Sequence, residues 1–248
     1  MKARAFLLAG IVFLLVGAIA AYSAPIGPDG VEIGNSGGKL QSTSGVPVAA
    51  EAGNVTNLNL NASRQSYHWQ GYYGNVSGSI VLDDANNYSM YSWGLLPVGE
   101  VYAVNDSAEV SWSRVYCINL SAPADSASDF QKFNESLLEA SYGIGINERD
   151  GIGETFNETY GSASGFKVGT VTINSQSYCR MTYTYVNQAY QTGNFPEFLM
   201  TDNQSIIFTT LLEPGIAGYD GNKWDFQMIV PVDSSIQAFN YYFYLEIE

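Results

Sequence analysis

The chain has 248 residues, enough for one large domain with its own hydrophobic core. Hydrophobic residues make up 46% of it, which excludes a wholly disordered protein, and its 25 glycines favour short strands joined by turns. The formal net charge of −14 argues against nucleic acid and anionic lipid as partners, because both attract proteins through positive potential. We therefore expect an all-β protein that binds no nucleic acid.

The first 23 residues form a candidate export segment. Lys2 and Arg4 precede an uncharged apolar run at residues 5–22, and small residues follow, so a signal peptidase would cut before Ala24. Because such a run spans about 27 Å as a helix, it could instead remain as a membrane anchor. A pilin-type leader cut beside Arg4 is a third interpretation. We expect contact with a membrane only through this hydrophobic helix, and only if it is uncleaved.

Residues 24–52 are rich in Gly, Pro and Ser. This composition is typical of a flexible linker. Short apolar stretches at 31–33 and 46–49 allow an alternative, an exchangeable strand arm that pairs with another subunit. We take residues 53–248 as the folded domain.

The domain begins with several strand patterns. Polar and apolar residues alternate at 55–60, and the aromatic stretch YHWQGYYGNVSGSIVL predicts a strand, a turn at Gly74 and Asn75, and a second strand. The turn-forming residues 83–87 then predict a hairpin over 76–93. Further strands are predicted at residues 100–105, 111–120, 167–173, 177–186, 205–212, 226–232 and 238–248.

One helix interrupts these strands. Ser126 and Asp129 form a capping pattern, apolar residues then recur on one face, and Gly143 can end the helix. We expect a short surface helix that covers one edge or face of a sheet. The acidic stretch at residues 143–165 predicts a long, mobile loop.

The C-terminal sequence AFNYYFYLEIE alternates without a break. This period predicts a strand with one buried and one wet face. The wet face would present Asn240, Tyr242, Tyr244, Glu246 and Glu248. We expect the strand to complete a sheet within the domain, the alternative being that it pairs with a neighbouring subunit.

Cys117 and Cys179 are the only cysteines, and they lie in two strand-like stretches. In an exported chain such a pair predicts one disulfide, and two buried thiols are the alternative. A redox or metal role would need a CxxC motif or a second pair of ligands.

Asn-X-Ser/Thr sequons are unusually frequent, since nine of the nineteen asparagines begin one. Such sites accept N-linked glycans in exported proteins, although a composition rich in Ser and Asn also raises the count. The candidate glycosylation sites are Asn54, Asn61, Asn75, Asn87, Asn105, Asn119, Asn134, Asn157 and Asn203.

The sequence offers two kinds of candidate ligand site. Trp69, Tyr72 and Trp93 could stack on sugar rings, although aromatics at alternate strand positions usually pack a core. Asp220 and Asp225 bound a short loop whose oxygen atoms would suit Ca²⁺. No other cofactor is expected.

The sequence has no recognisable catalytic motif. His68 is the only histidine, and no GxSxG, HExxH or Walker sequence occurs. Acidic residues such as Glu100 and Glu154 leave carboxylate catalysis as an alternative, but no spacing singles out a pair. We therefore expect a protein without enzymatic activity.

Both ends of residues 53–248 resemble a group of largely uncharacterised exported archaeal cell-surface proteins. The resemblance rests on WQGYYGNVSG near the start, a W-x-G-x-Y-G-N-V-[ST]-G element, and on the aromatic strand at the end. It implies an extracellular β-rich domain and no particular activity. Some archaeal surface filaments consist of glycosylated β-sandwich subunits joined by strand exchange.

Together these patterns predict a β-sandwich of jelly-roll or immunoglobulin-like type with one short surface helix, preceded by the hydrophobic N-terminal helix. The predicted function is an exported, glycosylated structural protein of the cell envelope, a subunit of a filament or surface layer assembled by strand addition. Its partners would be other copies of itself or other envelope proteins. A carbohydrate-binding or adhesive surface module is the first alternative, and a membrane-anchored hydrolase is the second.

Overall fold

The computed structural model describes residues 24–38, 45, 47–60, 64–105, 110–123, 132–161, 165–174, 178–183, 185–186, 189–190, 194–233, 235 and 239–247. The predicted hydrophobic helix, the cap at Ser126 and Asp129, and the sequon at Asn61 lie outside these ranges. No helix within them is long and apolar enough to cross a bilayer.

Strands dominate the described residues, as the composition predicted. They are β1 (Trp69–Gly74), β2 (Gly78–Asp83), β3 (Ser89–Leu95), β4 (Gly99–Val104), β5 (Tyr116–Cys117), β6 (Glu158–Thr159), β7 (Phe166–Val168), β8 (Val171–Ile173), β9 (Arg180–Thr182), β10 (Tyr185–Val186), β11 (Ala189–Tyr190), β12 (Glu197–Thr201), β13 (Ile206–Leu211), β14 (Ile216–Ala217), β15 (Lys223–Trp224), β16 (Phe226–Pro231) and β17 (Tyr242–Ile247). Two helices, α1 (Glu135–Ser141) and α2 (Ile152–Thr155), and a 3₁₀ turn at Trp112–Arg114 complete the list.

The largest sheet is antiparallel and has the order β17-β4-β13-β12-β9-β6, with β5 paired to the end of β12. Its central strands β4, β12 and β13 are buried at almost every position. A strand alternates between buried and exposed residues only when one face meets water. The uninterrupted burial therefore shows that other elements cover both faces of this sheet.

Helices α1 and α2 cover the first face. The Asn134 side chain caps α1 by accepting a hydrogen bond of 3.0 Å from the Leu137 N–H, and Leu138 and Ile152 are almost fully buried in the core. The helix thus begins later than the predicted cap, and a second helix was missed. The expected mobile loop is also wrong for its described part, because Phe156 and its neighbours pack into the same core.

A two-stranded ribbon of β1 and β16 lies on the same face. The two strands pair antiparallel from Trp69↔Pro231 to Gly74↔Phe226. Residues 75–77 connect β1 to β2 as predicted, but the two strands pair with other strands and not with each other. The hairpin predicted over 76–93 does form, from β2 and β3.

The second face is covered by the hairpin of β7 and β8 and by the disulfide region. Here a single strand was predicted at 167–173, but the chain reverses at Gly169, whose φ of +56° favours glycine. The strand predicted at 111–120 is replaced by the 3₁₀ turn and β5.

The strands expected at 31–33 and 55–60 do not form, and these residues are exposed.

The C-terminal strand β17 pairs antiparallel with β4, which confirms that it completes a sheet within the domain. The predicted wet face is wrong in part, because Glu246 is only 5% exposed. Its carboxylate accepts hydrogen bonds from the Tyr102 hydroxyl and from the Gly169 N–H, and both distances are 2.9 Å. The strand is therefore fixed on both faces.

Candidate functional site

The outer edge of β17 is the best candidate for an interaction site. On its inner side β17 pairs with β4, and on its outer side Ile26 forms an isolated antiparallel bridge with Leu245. The Ile26 N–H donates to the Leu245 carbonyl at 3.0 Å, and the Leu245 N–H donates to the Ile26 carbonyl at 2.8 Å. The N-terminal arm thus already adds one residue to this sheet.

Two further residues of β17 present their backbone groups to the same side. Successive residues of a strand direct their N–H and C=O groups to opposite edges, so Phe243 and Ile247 face outward together with Leu245. Among the described residues, the backbone hydrogen bonds at this edge are those to Ile26. We call the outward groups of these three residues the β17 edge.

The arm leaves the domain directly after the bridge. Pro25 is buried and Ile26 is bonded, but every described residue from 26 to 60 is exposed. Several of these carry large apolar side chains, among them Ile33, Val55 and Leu60, which are 83% exposed or more. An apolar segment that contacts so little of its own domain is available to another molecule.

The disulfide predicted from the sequence is present. Cys117 in β5 and Cys179 just before β9 have Cα atoms 5.0 Å apart, and both residues are buried. The bond closes a loop of 62 residues, which stabilises the fold by about 4 kcal/mol in the loop-entropy model. A disulfide is compatible with an oxidising, extracellular environment.

The sequon asparagines differ in their surroundings. Asn54, Asn75, Asn87 and Asn157 are exposed, so a glycan there would extend into solvent. Three others are half-buried and use their side chains locally. Asn105 accepts a hydrogen bond from the Ile206 N–H, Asn119 accepts one from the Ser121 N–H, and Asn134 caps α1.

Asn203 is the sequon asparagine least suited to a glycan. It is 5% exposed, and its side-chain oxygen accepts hydrogen bonds from the Tyr116 hydroxyl and the Lys132 N–H. An N-linked sugar is attached through the side-chain Nδ2 atom, so at this buried position it would have to displace the residues packed around Asn203. We therefore leave Asn203 out of the acceptors expected in the folded protein.

The three aromatic residues proposed for sugar stacking do not form one site. Trp69 donates from its ring N–H to the Asp150 carbonyl at 2.7 Å and packs against the core. Tyr72 meets Phe243 edge to face, with ring centroids 5.0 Å apart. Only Trp93 is on the surface, 51% exposed and stacked on Tyr91.

A different aromatic cluster was missed in the sequence. Tyr73 makes edge-to-face contacts with Tyr219 and with Trp224, and both centroid distances are 4.9 Å. The Trp224 ring N–H donates to Asp220, which also accepts two hydrogen bonds from Asn222. The cluster joins residues some 150 positions apart along the chain, and only the pairing of β1 with β16 brings them together.

The aspartates proposed for Ca²⁺ have local hydrogen-bond roles. Asp220 belongs to the aromatic cluster, and hydrogen bonds from Asn222 and the Trp224 ring hold the pKa of its carboxyl below the ordinary value. Asp225 accepts a hydrogen bond of 3.0 Å from the Val76 N–H. The Ca²⁺ site at these two residues stays a prediction.

Acidic side chains converge at another place. In the part of the chain that is described, one group of three carboxylates, Glu135, Glu139 and Glu154, has oxygens within 4.8 Å of one another. Glu135 and Glu154, together with Arg180, line a cleft of about 310 Å³. Burial raises the pKa of Glu139, as do the charges of its two acidic neighbours. The fold thus concentrates negative charge at the junction of α1 and α2.

Comparison with known protein families, with curated proteins and with solved structures gave no significant match.

Proposed function

We propose that the chain is an exported, glycosylated structural protein of the cell envelope whose copies join by strand addition at the β17 edge. The observation that supports this most strongly is the bridge between Ile26 and Leu245. It demonstrates that the edge accepts a residue of the arm in antiparallel pairing. The exposed remainder of the arm then supplies a longer strand to the edge of a neighbouring copy.

The edge itself is suited to a firm contact. Strand addition gains affinity from main-chain hydrogen bonds, and a rigid acceptor strand loses little conformational entropy on binding. The buried Glu246 and the packing of Tyr244 against Trp112, with centroids 5.2 Å apart, fix β17 before any partner arrives. The packing of the β1–β16 ribbon on the central sheet also supports the predicted sandwich architecture.

Export is supported by two observations. The disulfide is compatible with an oxidising compartment, and several sequons lie at exposed positions, including Asn75 and Asn87. We interpret residues 1–23 as the export segment. These features and the resemblance to archaeal surface proteins support localisation at the cell surface.

The experiment that tests this function is a deletion of residues 27–53 that keeps the Ile26 bridge. Native envelope material and purified protein are compared by negative-stain microscopy and by sedimentation. Filaments or large assemblies should form with the intact chain and disappear with the deletion. A deletion of residues 34–38 alone, a stretch of three glycines, one asparagine and one serine without a large apolar side chain, is the matched control and should still assemble. Normal assembly of the 27–53 deletion would refute strand addition by the arm.

A carbohydrate-binding function is the second candidate, and the cluster of Tyr73, Tyr219 and Trp224 favours it. Tyr219 is 56% exposed and lies beside the acceptor groups of Asp220, an arrangement that suits a sugar ring and its hydroxyls. Glycan-array binding that is lost in Tyr219→Ala and kept in Tyr88→Ala, an exposed tyrosine outside the cluster, would support this function. If neither variant nor the unsubstituted protein bound any glycan, the carbohydrate-binding function would be excluded.

A further inference from the structure

The hairpin of β2 and β3 exposes more apolar surface than any other folded element described. Among the described residues, 9 of the 22 exposed large apolar side chains lie between Ile80 and Val98. The two strands pair with each other and with no other described strand. An isolated two-stranded hairpin is marginally stable in water, and a large exposed apolar surface is typical of an interaction site. We therefore expect another molecule to cover this surface.

One face of the hairpin is apolar along its length. Cross-strand pairing places Ile80 beside Trp93 and Leu82 beside Tyr91, and all four side chains are 51–59% exposed. The opposite face pairs Ser79 with Gly94 and Val81 with Ser92. We call the four-residue surface the hairpin apolar face.

The base of this face adjoins the C-terminal end of β17. A Cβ atom on Gly78 would come 2.5 Å from the Ile247 Cδ1 atom, so Ile247 covers the hairpin at its base. Leu95, directly opposite Gly78, is half-buried there. Beyond this point no described residue covers the face, as its exposed side chains show.

The described part of the N-terminal arm begins at the same end of β17. Because the bridge of Ile26 with Leu245 is antiparallel, the chain before Ile26 runs toward Ile247 and the hairpin base. A Cβ atom on Gly169 would lie 3.6 Å from the Ala24 Cα atom, and the Gly169 N–H bonds to Glu246, so Ala24 lies near the C-terminal end of β17. Four residue steps separate Tyr22, the end of the apolar run, from Ile26. A chain of that length reaches at most about 14 Å.

A membrane-inserted apolar run would therefore hold this end of the domain against the bilayer. If residues 5–22 are inserted in the bilayer, the short connection from Tyr22 to Ile26 keeps Ile247 and the hairpin base close to the lipid headgroups. Trp and Tyr side chains are enriched at such interfaces, where an apolar ring meets a polar boundary. The hairpin apolar face contains one tryptophan and one tyrosine, Trp93 and Tyr91.

We propose that the β2–β3 hairpin lies flat on the outer surface of a lipid bilayer and buries its apolar face in the interface, beside a retained N-terminal anchor. The hairpin tip contains Asp84 and Asn87, whose polarity keeps it from penetrating further. The net charge of −14 selects neutral headgroups over anionic ones. This inference concerns a different surface from the β17 edge and does not depend on assembly.

The test uses the full chain reconstituted in phosphatidylcholine vesicles whose acyl chains carry bromine near the headgroup. Bromine quenches the fluorescence of a tryptophan that lies in the interface. Wild-type protein should be quenched, Trp93→Phe should lose most of that quenching, and Trp224→Phe, which removes a half-buried tryptophan outside the hairpin, should keep it. Quenching that is equal in the wild type and in Trp93→Phe would overturn the proposal.

Two further measurements separate the alternatives. Mass spectrometry of the native protein should detect the apolar run, and a mature chain that begins at Ala24 would contradict a retained anchor. Because the native cysteines pair with each other, an Ile80→Cys variant adds one free thiol per chain, and lipid cover of the face should leave that thiol uncrosslinked under oxidation. Efficient crosslinking between copies through Cys at this position would show that a second copy, rather than lipid, covers the face. Neither result would change the outcome of the arm deletion.

Discussion

The Tyr102 hydroxyl donates a hydrogen bond of 2.9 Å to the Glu246 carboxylate and so joins β4 to the C-terminal strand β17. Both side chains are buried, and the Gly169 N–H donates to the same carboxylate. This contact connects the β17 edge to the interior of the central sheet. The rigidity of the edge therefore depends on a glutamate that the sequence pattern assigned to solvent.

Replacement of Glu246 by Leu should lower the free energy of unfolding by about 2–4 kcal/mol, because the Tyr102 hydroxyl and the Gly169 N–H lose their shared acceptor. Urea denaturation measures the change. The control is Asn240→Ala, an exposed position just before β17, which should change stability by less than about 0.5 kcal/mol. If the two variants had equal free energies of unfolding, Glu246 would not have this structural role.

The charge on Glu139 should make the protein less stable at neutral pH than at mildly acidic pH. Burial, Glu135 and Glu154 all raise its pKa above the ordinary value of 4.5. The folded state resists ionisation of this carboxyl, so the charged form of Glu139 lowers the free energy of unfolding. This destabilisation is complete above the raised pKa of the folded state and vanishes below the pKa of the unfolded state. Glu139→Gln keeps an acceptor for the Ile152 N–H and should therefore stabilise the fold at pH 7.

Thermal melts between pH 4 and pH 8 provide the measurement. The gain in melting temperature from Glu139→Gln should shrink as the pH falls toward 4, when the wild-type carboxyl is protonated in both states. Glu148→Gln, at an exposed acid near the cluster, serves as the control and should show a smaller gain. A gain that stays constant across this range would argue against the raised pKa.

Gly78→Ala should loosen the base of the hairpin. The new methyl group would displace the Ile247 side chain, at a cost of about 1 kcal/mol because that side chain can rotate away. Gly94→Ala lies on the same hairpin with nothing within 4 Å of the added atom, so it should be close to neutral. Hydrogen exchange of the β2 and β3 amides measures the difference. Identical exchange in the two variants would mean that Ile247 does not hold the hairpin.

Glycan occupancy should follow exposure. Mass spectrometry of peptides from the native protein should find glycans at Asn75, Asn87 and Asn157, which are exposed, and none at the buried Asn203. Treatment of the folded protein with a glycosidase should shift its mass without unfolding it. A glycan at Asn203 would mean that the surrounding contacts with Tyr116 and Lys132 differ in the native protein.

Local patterns in the sequence predicted the elements with one exposed face or a clear turn. The β2–β3 hairpin follows from the turn residues 83–87, and β17 follows from its unbroken alternation. The disulfide follows from the presence of only two cysteines in strand-like stretches. In each case the decisive signal lies within a few neighbouring residues or in a simple count.

Within the central sheet, the strands predicted at 100–105 and 205–212 correspond to β4 and β13, but β12, which pairs with β13, was missed. β12, with the sequence EFLMT, shows no alternation and begins with Glu197, a buried carboxyl whose pKa is raised well above its ordinary value by burial. A short apolar stretch with an acid at its start does not suggest a core strand. Its assignment depends on partners that lie far away in the chain.

The same limit applies to pairing and to the surfaces that result from it. β1 and β16 are separated by about 150 residues, and no local signal in either predicts the other. The aromatic cluster of Tyr73, Tyr219 and Trp224 therefore could not be found from the sequence. The sequence shows that Ile80 and Leu82 share one face of a strand, but only the structure reveals that this face is exposed.

The most direct test of strand addition is hydrogen exchange at the β17 edge. The Phe243 and Ile247 amides face outward on either side of the Ile26 bridge, so in monomers they should exchange rapidly. In assembled material a donor strand from a neighbouring copy should replace Ile26 at this edge, bond both amides and slow their exchange at least tenfold, which corresponds to about 1.4 kcal/mol of protection. Equally rapid exchange of both amides in monomers and in assemblies would contradict the proposed mode of assembly.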